Sequence, residues 1–367
     1  MQLETFDTVI LGAGAAGMMC AIHAAARGGR VLVVDHAKAP GEKIRISGGG
    51  RCNFTNIGTA AKNFISANPH FAKSALARYT QHDFIALVEK HGIAWHEKTL
   101  GQLFCDESAK QIVSMLLDEM NQAGCELRLR TTLESIERDE SGFVVTLGGE
   151  GAARISCRHF VVACGGKSIP KMGATGLGYQ IAEKFALAVT ETRPALVPLT
   201  FGEDVLAGFR EIAGVAADAV VSCGRISFEE ALLFTHRGLS GPAILQISSY
   251  WQPGDVVHIN LLPHLDLGEW LATQKQERPN AELKTLLGEV FTRKMAGLLC
   301  EHWFASRPLK QYVPSELEAI AEKLADWQLV PAGTEAYRTA EVTLGGVDTR
   351  EVSSKTMESQ KSAGLYF

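Results

Sequence analysis

The stretch "VILGAGAAGMMCAIHAAARGGRVLVVD", residues 9–35, constrains the fold more than any other part of the chain. Residues 8–11 read as a short apolar strand, and Gly12, Gly14 and Gly17 follow it as G-x-G-x-x-G. Residues 15–27 read as a helix of small side chains that stops at Gly28 and Gly29, and residues 30–34 as a second buried strand. Asp35 closes that strand 18 residues after Gly17. The glycine pattern alone is common. Placed between a strand and a helix, with an acid at this offset, it specifies a Rossmann-like βαβ unit that binds a dinucleotide. Gly12 allows the tight turn, Gly14 lets the backbone approach a pyrophosphate, and Gly17 lets helix and strand pack closely. The helix N-terminus presents unpaired N–H groups and the positive end of its dipole to phosphate. Asp35 is placed to accept hydrogen bonds from a ribose hydroxyl.

NAD and FAD both use this fingerprint. The next stretch narrows the choice, because residues 39–56 read as irregular glycine-rich backbone instead of a further βαβ unit. Within it, "KIRISGGGRCNFTN" sets three glycines among Ser47, Arg51, Cys52 and Asn53. Bare peptide of this kind can lie against a flat ring, with its N–H groups turned to anionic or carbonyl oxygens. Arg51 and Asn53 suit a flavin's pyrimidine edge, ribityl chain or phosphates. A second glycine-lined strand end, "VVACGGKSIPKMGATGLGY" at 161–179, suits a long dinucleotide lying across the carboxyl edges of the sheet.

The chain has 367 residues, enough for two or three domains. Its net charge of −5 argues against a protein coated in positive charge for nucleic acid. Two local basic patches stand out: 27–51, with six Lys/Arg against two acids, and 154–171, with four and none. The eight cysteines contain no C-x-x-C pair and no Cys/His spacing for zinc, so no metal site is expected. Cys20, Cys125 and Cys164 read as core thiols. With no leader-like basic n-region and no apolar run of about 18 residues, the reading is cytoplasmic with no membrane partner. No oligomeric state is read from the sequence.

Further along, Asn68 and Pro69 are expected to open a helix that Gly92 ends, with a break near Thr80. Residues 93–105 read as strands joined by "TLGQ", and Ser108 as the cap of a helix through Gln122. Residues 195–262 read as short strands, 265–328 as charged helices with Trp270, Leu286, Leu287, Leu298 and Leu299 as core candidates, and 340–367 as strands and glycine turns.

Six pieces, "GAGAAGM" (12–18), "GEKIRISGGGRCNFTN" (41–56), "HEKTLGQLFC" (96–105), "ACGGKSIPKMGATGLGY" (163–179), "LLFTHRGLSGPAILQIS" (232–248) and "AEVTLGGVDTREVSSKTME" (340–358), span the chain. Together they resemble the BaiN/RdsA family of NAD(P)/FAD-dependent oxidoreductases. The resemblance implies an α/β, Rossmann-like FAD-binding domain of the two-dinucleotide-binding-domain type, discontinuous over 1–191 and 342–367. It implies a β-barrel-like insert at 192–262 and 331–341 and a helical cap at 263–330. Members of that family continue past "GLYF" with a glycine-rich segment expected to cover part of the flavin.

Carried onto matching positions, Gly12, Gly14, Ala15, Ala16 and Gly17 would hold the pyrophosphate and Asp35 the adenosine ribose. Lys43, Ser47, Gly48, Gly49, Arg51, Cys52 and Asn53 would line the flavin side. Ala163, Cys164 and Gly165 would run past the adenine half, with His36, Gly50 and Gly166 completing the cofactor set. The implied chemistry is hydride delivery to a C=C bond conjugated to a carbonyl, with NAD(P)H as transient reductant. The expected substrate is uridine in ribosomal RNA, toward which the resemblance runs closest and which the basic patches suit. Small or steroid-like enones are the alternative. A non-catalytic, flavin-holding RNA-binding or assembly factor is a third reading. Such a reduction needs a general acid. Cys52 beside Arg51 and His236 ahead of the Gly-Leu-Ser-Gly-Pro turn are the candidates, with Arg237 to clamp a carbonyl oxygen or a phosphate.

Overall fold

The computed structural model describes residues 3–367. They form two compact units, 3–191 with Gly345–Phe367, and Thr192–Leu344.

In the first unit, β1 (Leu3–Leu11) leads through the glycine turn into α1 (Ala15–Ala25) and β2 (Val31–Val34). The following loop is more regular than its glycines suggest. It contains a helical turn, α2 (Glu42–Ile46), then a tight turn over Ser47–Gly50 in which Gly48 and Gly49 take left-handed backbone angles, then β3 (Asn53–Asn56). Short helices α3 (Lys73–Arg78) and α4 (Gln81–Lys90) precede the hairpin β4 (Trp95–Glu97) and β5 (Gln102–Cys105). Then come α5 (Ala109–Gln122), β6 (Glu126–Arg128), β7 (Thr131–Asp139), β8 (Gly142–Gly149), β9 (Ala153–Val162) and α6 (Leu177–Lys184).

The main sheet runs β6-β2-β1-β9-β8-β7, and the closing strand Leu365–Tyr366 pairs parallel with β9. β6, β2, β1 and β9 are parallel, and β7 and β8 add an antiparallel edge. Alternation sorts the apolar side chains to two cores. Ile10, Val31 and Val33 face one cluster with Met18, Ala21 and Met115, while Val9, Leu11, Leu32 and Val34 face the other with Phe143 and Phe160. Both faces are therefore covered, as a parallel sheet requires.

One expectation here changes and one holds. The helix foreseen at Asn68 starts only at Lys73. Asn68 Oδ1 accepts instead from the His70 N–H at 3.0 Å, a local turn that competes with helix. The break expected near Thr80 is present: α3 ends at Arg78, and Thr80 caps α4, its hydroxyl taking the Asp83 N–H while Asp83 accepts from the Thr80 N–H at 2.7 Å.

In the second unit, β10 (Arg193–Ala195), β11 (Leu199–Thr200), α7 (Glu203–Glu211), β12 (Ala216–Cys223), β13 (Ile226–Thr235), β14 (Gly238–Ser240), α8 (Pro242–Ser248) and β15 (Val257–Asn260) follow in order. Helices α9 (Leu267–Glu277), α10 (Leu283–Val290), α11 (Arg293–His302) and α12 (Pro314–Ala325) come next, then β16 (Trp327–Leu329), β17 (Gly333–Thr334) and β18 (Val342–Leu344). The region read as short strands thus also holds two helices, α7 and α8. Their residues were masked by the β-branched and aromatic neighbours that dominate the stretch.

Seven strands form one antiparallel sheet in the order β16-β15-β12-β13-β14-β11-β17. Its two edge strands are consecutive in the chain and only residues 330–332 join them, so the sheet must curl toward closure. Barrel and helices share one core: Phe209, Phe234 and Trp327 cluster with Leu286, Leu287 and Leu299. Trp270 and Leu298 lie at its margin, partly buried.

Candidate functional site

Three glycine-bearing segments converge at the carboxyl edge of the first unit's parallel strands. The first is the turn after β1. Gly12 has φ +113°, and a Cβ there would sit 2.5 Å from the Ala163 carbonyl oxygen. Gly12 N–H donates to Val34 O at 2.8 Å, and Ala163 N–H to Leu11 O at 2.9 Å, so the turn is stitched to both neighbouring strand ends. A Cβ on Gly17 would collide with the Gly12 carbonyl oxygen, whereas a Cβ on Gly14 would meet nothing. Gly14 caps α1 with no side-chain bond and no acid in the first turn. Ala15 and Ala16 are exposed there, so their N–H groups face outward with no helical acceptor.

Asp35 pins this turn from β2. Its Oδ2 accepts from Ala13 N–H at 2.6 Å and its Oδ1 from Ala37 N–H at 2.9 Å. Each oxygen keeps a free lone pair, so the carboxylate can order the turn and still receive a hydroxyl. His36 Nδ1 lies 3.3 Å from Asp35 Oδ1. Its ring covers Gly173, where any Cβ would overlap it.

The second segment is the loop at 41–53. Gly41 N–H donates to Ala13 O at 2.8 Å, which ties its start to the first turn. Gly48, Gly49 and Gly50 have φ of +57°, +66° and +89°, conformations that L side chains rarely adopt. A Cβ at Gly48 would press 2.6 Å from the Phe104 ring, but Gly49 and Gly50 face open space, so bare peptide is presented outward. Ser47 O accepts from Cys52 N–H at 2.9 Å, and Asn53 pairs with Phe104 on β5. Arg51 and Asn53 are exposed.

The third segment follows β9 through Ala163, Cys164, Gly165 and Gly166, with Gly165 at φ +75° and open in front. Lys43 Nζ donates to Ser168 Oγ at 3.1 Å, bridging 125 residues of sequence and closing the second segment onto the third. Partial burial holds the Lys43 ammonium below its usual pKa. A cavity of about 310 Å³ opens where the first and third segments meet, lined by Gly12, Asp35, His36, Thr132, Cys164 and Gly165 among others. Ser168 and the β7 residues Thr131–Leu133 were missed as site residues. The motif "GGKSIP" contained a signal for Ser168, but nothing in the β7 sequence marks it as a site wall.

Cys52 is 4% exposed and packs in the core with Cys105. Burial pushes its thiol up to about 12, and Arg51 beside it in sequence does not offset that. In the second unit, His236 and Arg237 form the exposed two-residue tip between β13 and β14. Thr235 Oγ1 takes the Gly238 N–H at 3.1 Å and braces that tip. The Gly-Leu-Ser-Gly-Pro run is strand β14 followed by the start of α8, not a free turn. A Cβ at Gly241 would approach Ala231 O to 2.6 Å, so its glycines serve close packing.

The residues present fit a dinucleotide: a turn in which Gly12 and Gly17 admit no Cβ, helix N-terminal N–H groups without helical acceptors, a pinned carboxylate, and a cavity at the strand ends. The family profile described as "HI0933-like protein Rossmann domain" matches residues 6–367. The chain belongs to this family. Among HI0933-like relatives, the protein named ribosomal RNA dihydrouridine synthase from Escherichia coli (strain K12) is 52% identical over 368 residues, covering 100% of this chain and 91% of that protein. The protein of the same name from Haemophilus influenzae is 45% identical, covering 98% and 90%. The 3-dehydro-bile acid delta(4,6)-reductase of Clostridium scindens is 27% identical, covering 97% and 90%. In this chain the Rossmann-type unit is interrupted between Glu191 and Gly345 by the curled sheet and its helices.

Proposed function

We propose that this chain is an FAD-dependent oxidoreductase that reduces the C5=C6 bond of uridine in ribosomal RNA, fed by NAD(P)H. The observation that carries the cofactor reading is the convergence of three bare-peptide segments, linked by Gly41 N–H to Ala13 O, by the Gly12–Ala163 contact and by Lys43 to Ser168. The names of two relatives, 52% and 45% identical, support the RNA substrate. Bound FAD supplies a hydride donor for a carbonyl-conjugated double bond.

The chain's own residues do the rest. Gly12, Gly14, Ala15, Ala16 and Gly17 receive the pyrophosphate on N–H groups, and Asp35 the ribose, with His36 beside it. Gly48, Gly49, Gly50, Arg51 and Asn53 border the ring, and Ala163, Cys164, Gly165 and Gly166 the adenine half. The Lys43 ammonium, tied to Ser168, would offer positive charge to bound FAD. For the proton, the Cys52 thiol is a poor donor, because it is closed into a core and holds its proton too tightly. His236 and Arg237 are exposed on the second unit, the first a donor candidate by its imidazole and the second an anion clamp by its guanidinium.

Mass analysis of ribosomal RNA from cells lacking the gene tests the assignment. Loss of a two-hydrogen increment at one uridine is expected, restored by the wild-type gene but not by Gly14→Asp. Gly14 has open space for a side chain, so that variant folds while its carboxylate repels phosphate. Unmodified uridines in the parent strain would remove the RNA reading. The bile-acid relative then favours a small enone as substrate.

A further inference from the structure

Residues 43–82 contain no aspartate or glutamate, yet carry Lys43, Arg45, Arg51, Lys62, Lys73 and Arg78 in a chain of net charge −5. Forty residues without an acid leave a long one-signed stretch, where an ordinary solvated face mixes both signs. The stretch is also unusually bare. Residues 62–70 are all exposed, and Phe64 and Ile65 show 48% and 47% of their surface. Ile57 is 42% exposed and Leu100, at the tip of the β4–β5 hairpin, 66%. Segment and hairpin adjoin: Ile57 N–H donates to Gly101 O at 2.9 Å, and Asn56 Nδ2 to Leu100 O at 2.8 Å.

The nearby acids are engaged elsewhere. Asp83 caps α4, Asp106 holds His96 at 2.6 Å, and Glu97 accepts the Gly101 N–H at 3.1 Å. Among the described residues, neither Lys62 nor Lys73 has an ion-pair or hydrogen-bond partner for its ammonium.

We infer that this acid-free segment, with the hairpin tip, is the surface on which the RNA lies, its phosphates on Lys62 and Lys73 and its unstacked bases on Phe64, Ile65, Ile57 and Leu100. The inference rests on the uridine reading above. Single-stranded RNA is held by cations that follow its backbone and by apolar side chains that receive base faces, and this surface interleaves the two. A uridine must leave its stack to be reduced, so the flanking nucleotides need such a platform. The platform begins where the loop of Gly48–Gly50 ends, because β3 (Asn53–Asn56) links Cys52 to Ile57.

Filter binding of in-vitro-transcribed ribosomal RNA to the FAD-loaded protein over a salt series tests this. Lys62→Gln with Lys73→Gln is expected to weaken binding about tenfold and to lower the slope of log affinity against log salt by about 1.5. Phe64→Ser with Ile65→Ser is expected to weaken binding about tenfold with the slope unchanged. In both, the visible spectrum of the bound flavin and the melting temperature stay as in wild type. If the wild type binds the RNA and either pair leaves its affinity unchanged, the surface is wrong and the uridine reading stands. If the wild type does not bind the RNA, both fall, and the flavin assignment remains.

Discussion

At the scale of single residues, the glycines separate folding from binding. A methyl at Gly17 must displace the Gly12 carbonyl, so Gly17→Ala is expected to destabilise the first unit by about 1–3 kcal/mol and to abolish cofactor retention. Gly14→Ala meets open space at φ −83° and is expected to leave the melting temperature unchanged while weakening the cofactor, because the methyl occupies the approach to phosphate. Thermal melts and cofactor titration of the two variants check the contrast. The buried thiols give a pH signature. Cys52 and Cys157 are both raised from 9.0 to about 12 by burial. The folded state keeps protons that the unfolded chain releases, so stability is intact below about 9 and falls as pH rises toward 12. Denaturant unfolding at pH 8 and pH 10.5 measures the loss, and Cys157→Ala should flatten it. At pH 8, iodoacetamide should spare Cys52 and Cys157 in the native protein.

At the scale of elements, the flavin-side loop depends on a helix that contributes no site residue. A Cβ at Gly41 would lie 2.8 Å from Val113 on α5, so α5 forms the wall behind the loop. That helix is capped by Ser108, whose hydroxyl accepts from Lys110 N–H at 3.2 Å. Ser108→Ala should cost about 1 kcal/mol in chemical denaturation and loosen cofactor binding several-fold by fraying the wall. Caps such as Ser108 were readable because they rest on contacts within one turn. Asn68 misled for the same reason: its side chain had two local partners to choose from, and the asparagine turn won over the helix. α7 and α8 were unreadable because each buries only a few residues against a barrel formed by distant strands, Leu206 and Phe209 in the case of α7.

At the scale of the whole molecule, the units have separate cores: the first has one on each face of its parallel sheet, and the second has one within the curled sheet and its helices. All three glycine segments belong to the first unit. A cofactor bound there stabilises it by mass action, about 2.7 kcal/mol at a hundredfold excess over the dissociation constant. In calorimetry, added FAD should raise the transition of the first unit and leave that of residues 192–344, expressed alone, unmoved. A shift in the isolated segment would show that it takes part in holding the cofactor.

The sequence by itself determined the βαβ unit, its dinucleotide turn and the membership of the family, because these depend on neighbours within about 30 residues and on rigid backbone needs that only glycine meets. Only the tertiary structure decided which glycine segments meet, that Lys43 reaches Ser168, that Cys52 is sealed away, and that residues 62–70 of the acid-free stretch are all exposed. Burial and long-range contact are set by how the sheet stacks its strands, and a side chain's neighbours across 125 residues leave no trace in its local pattern.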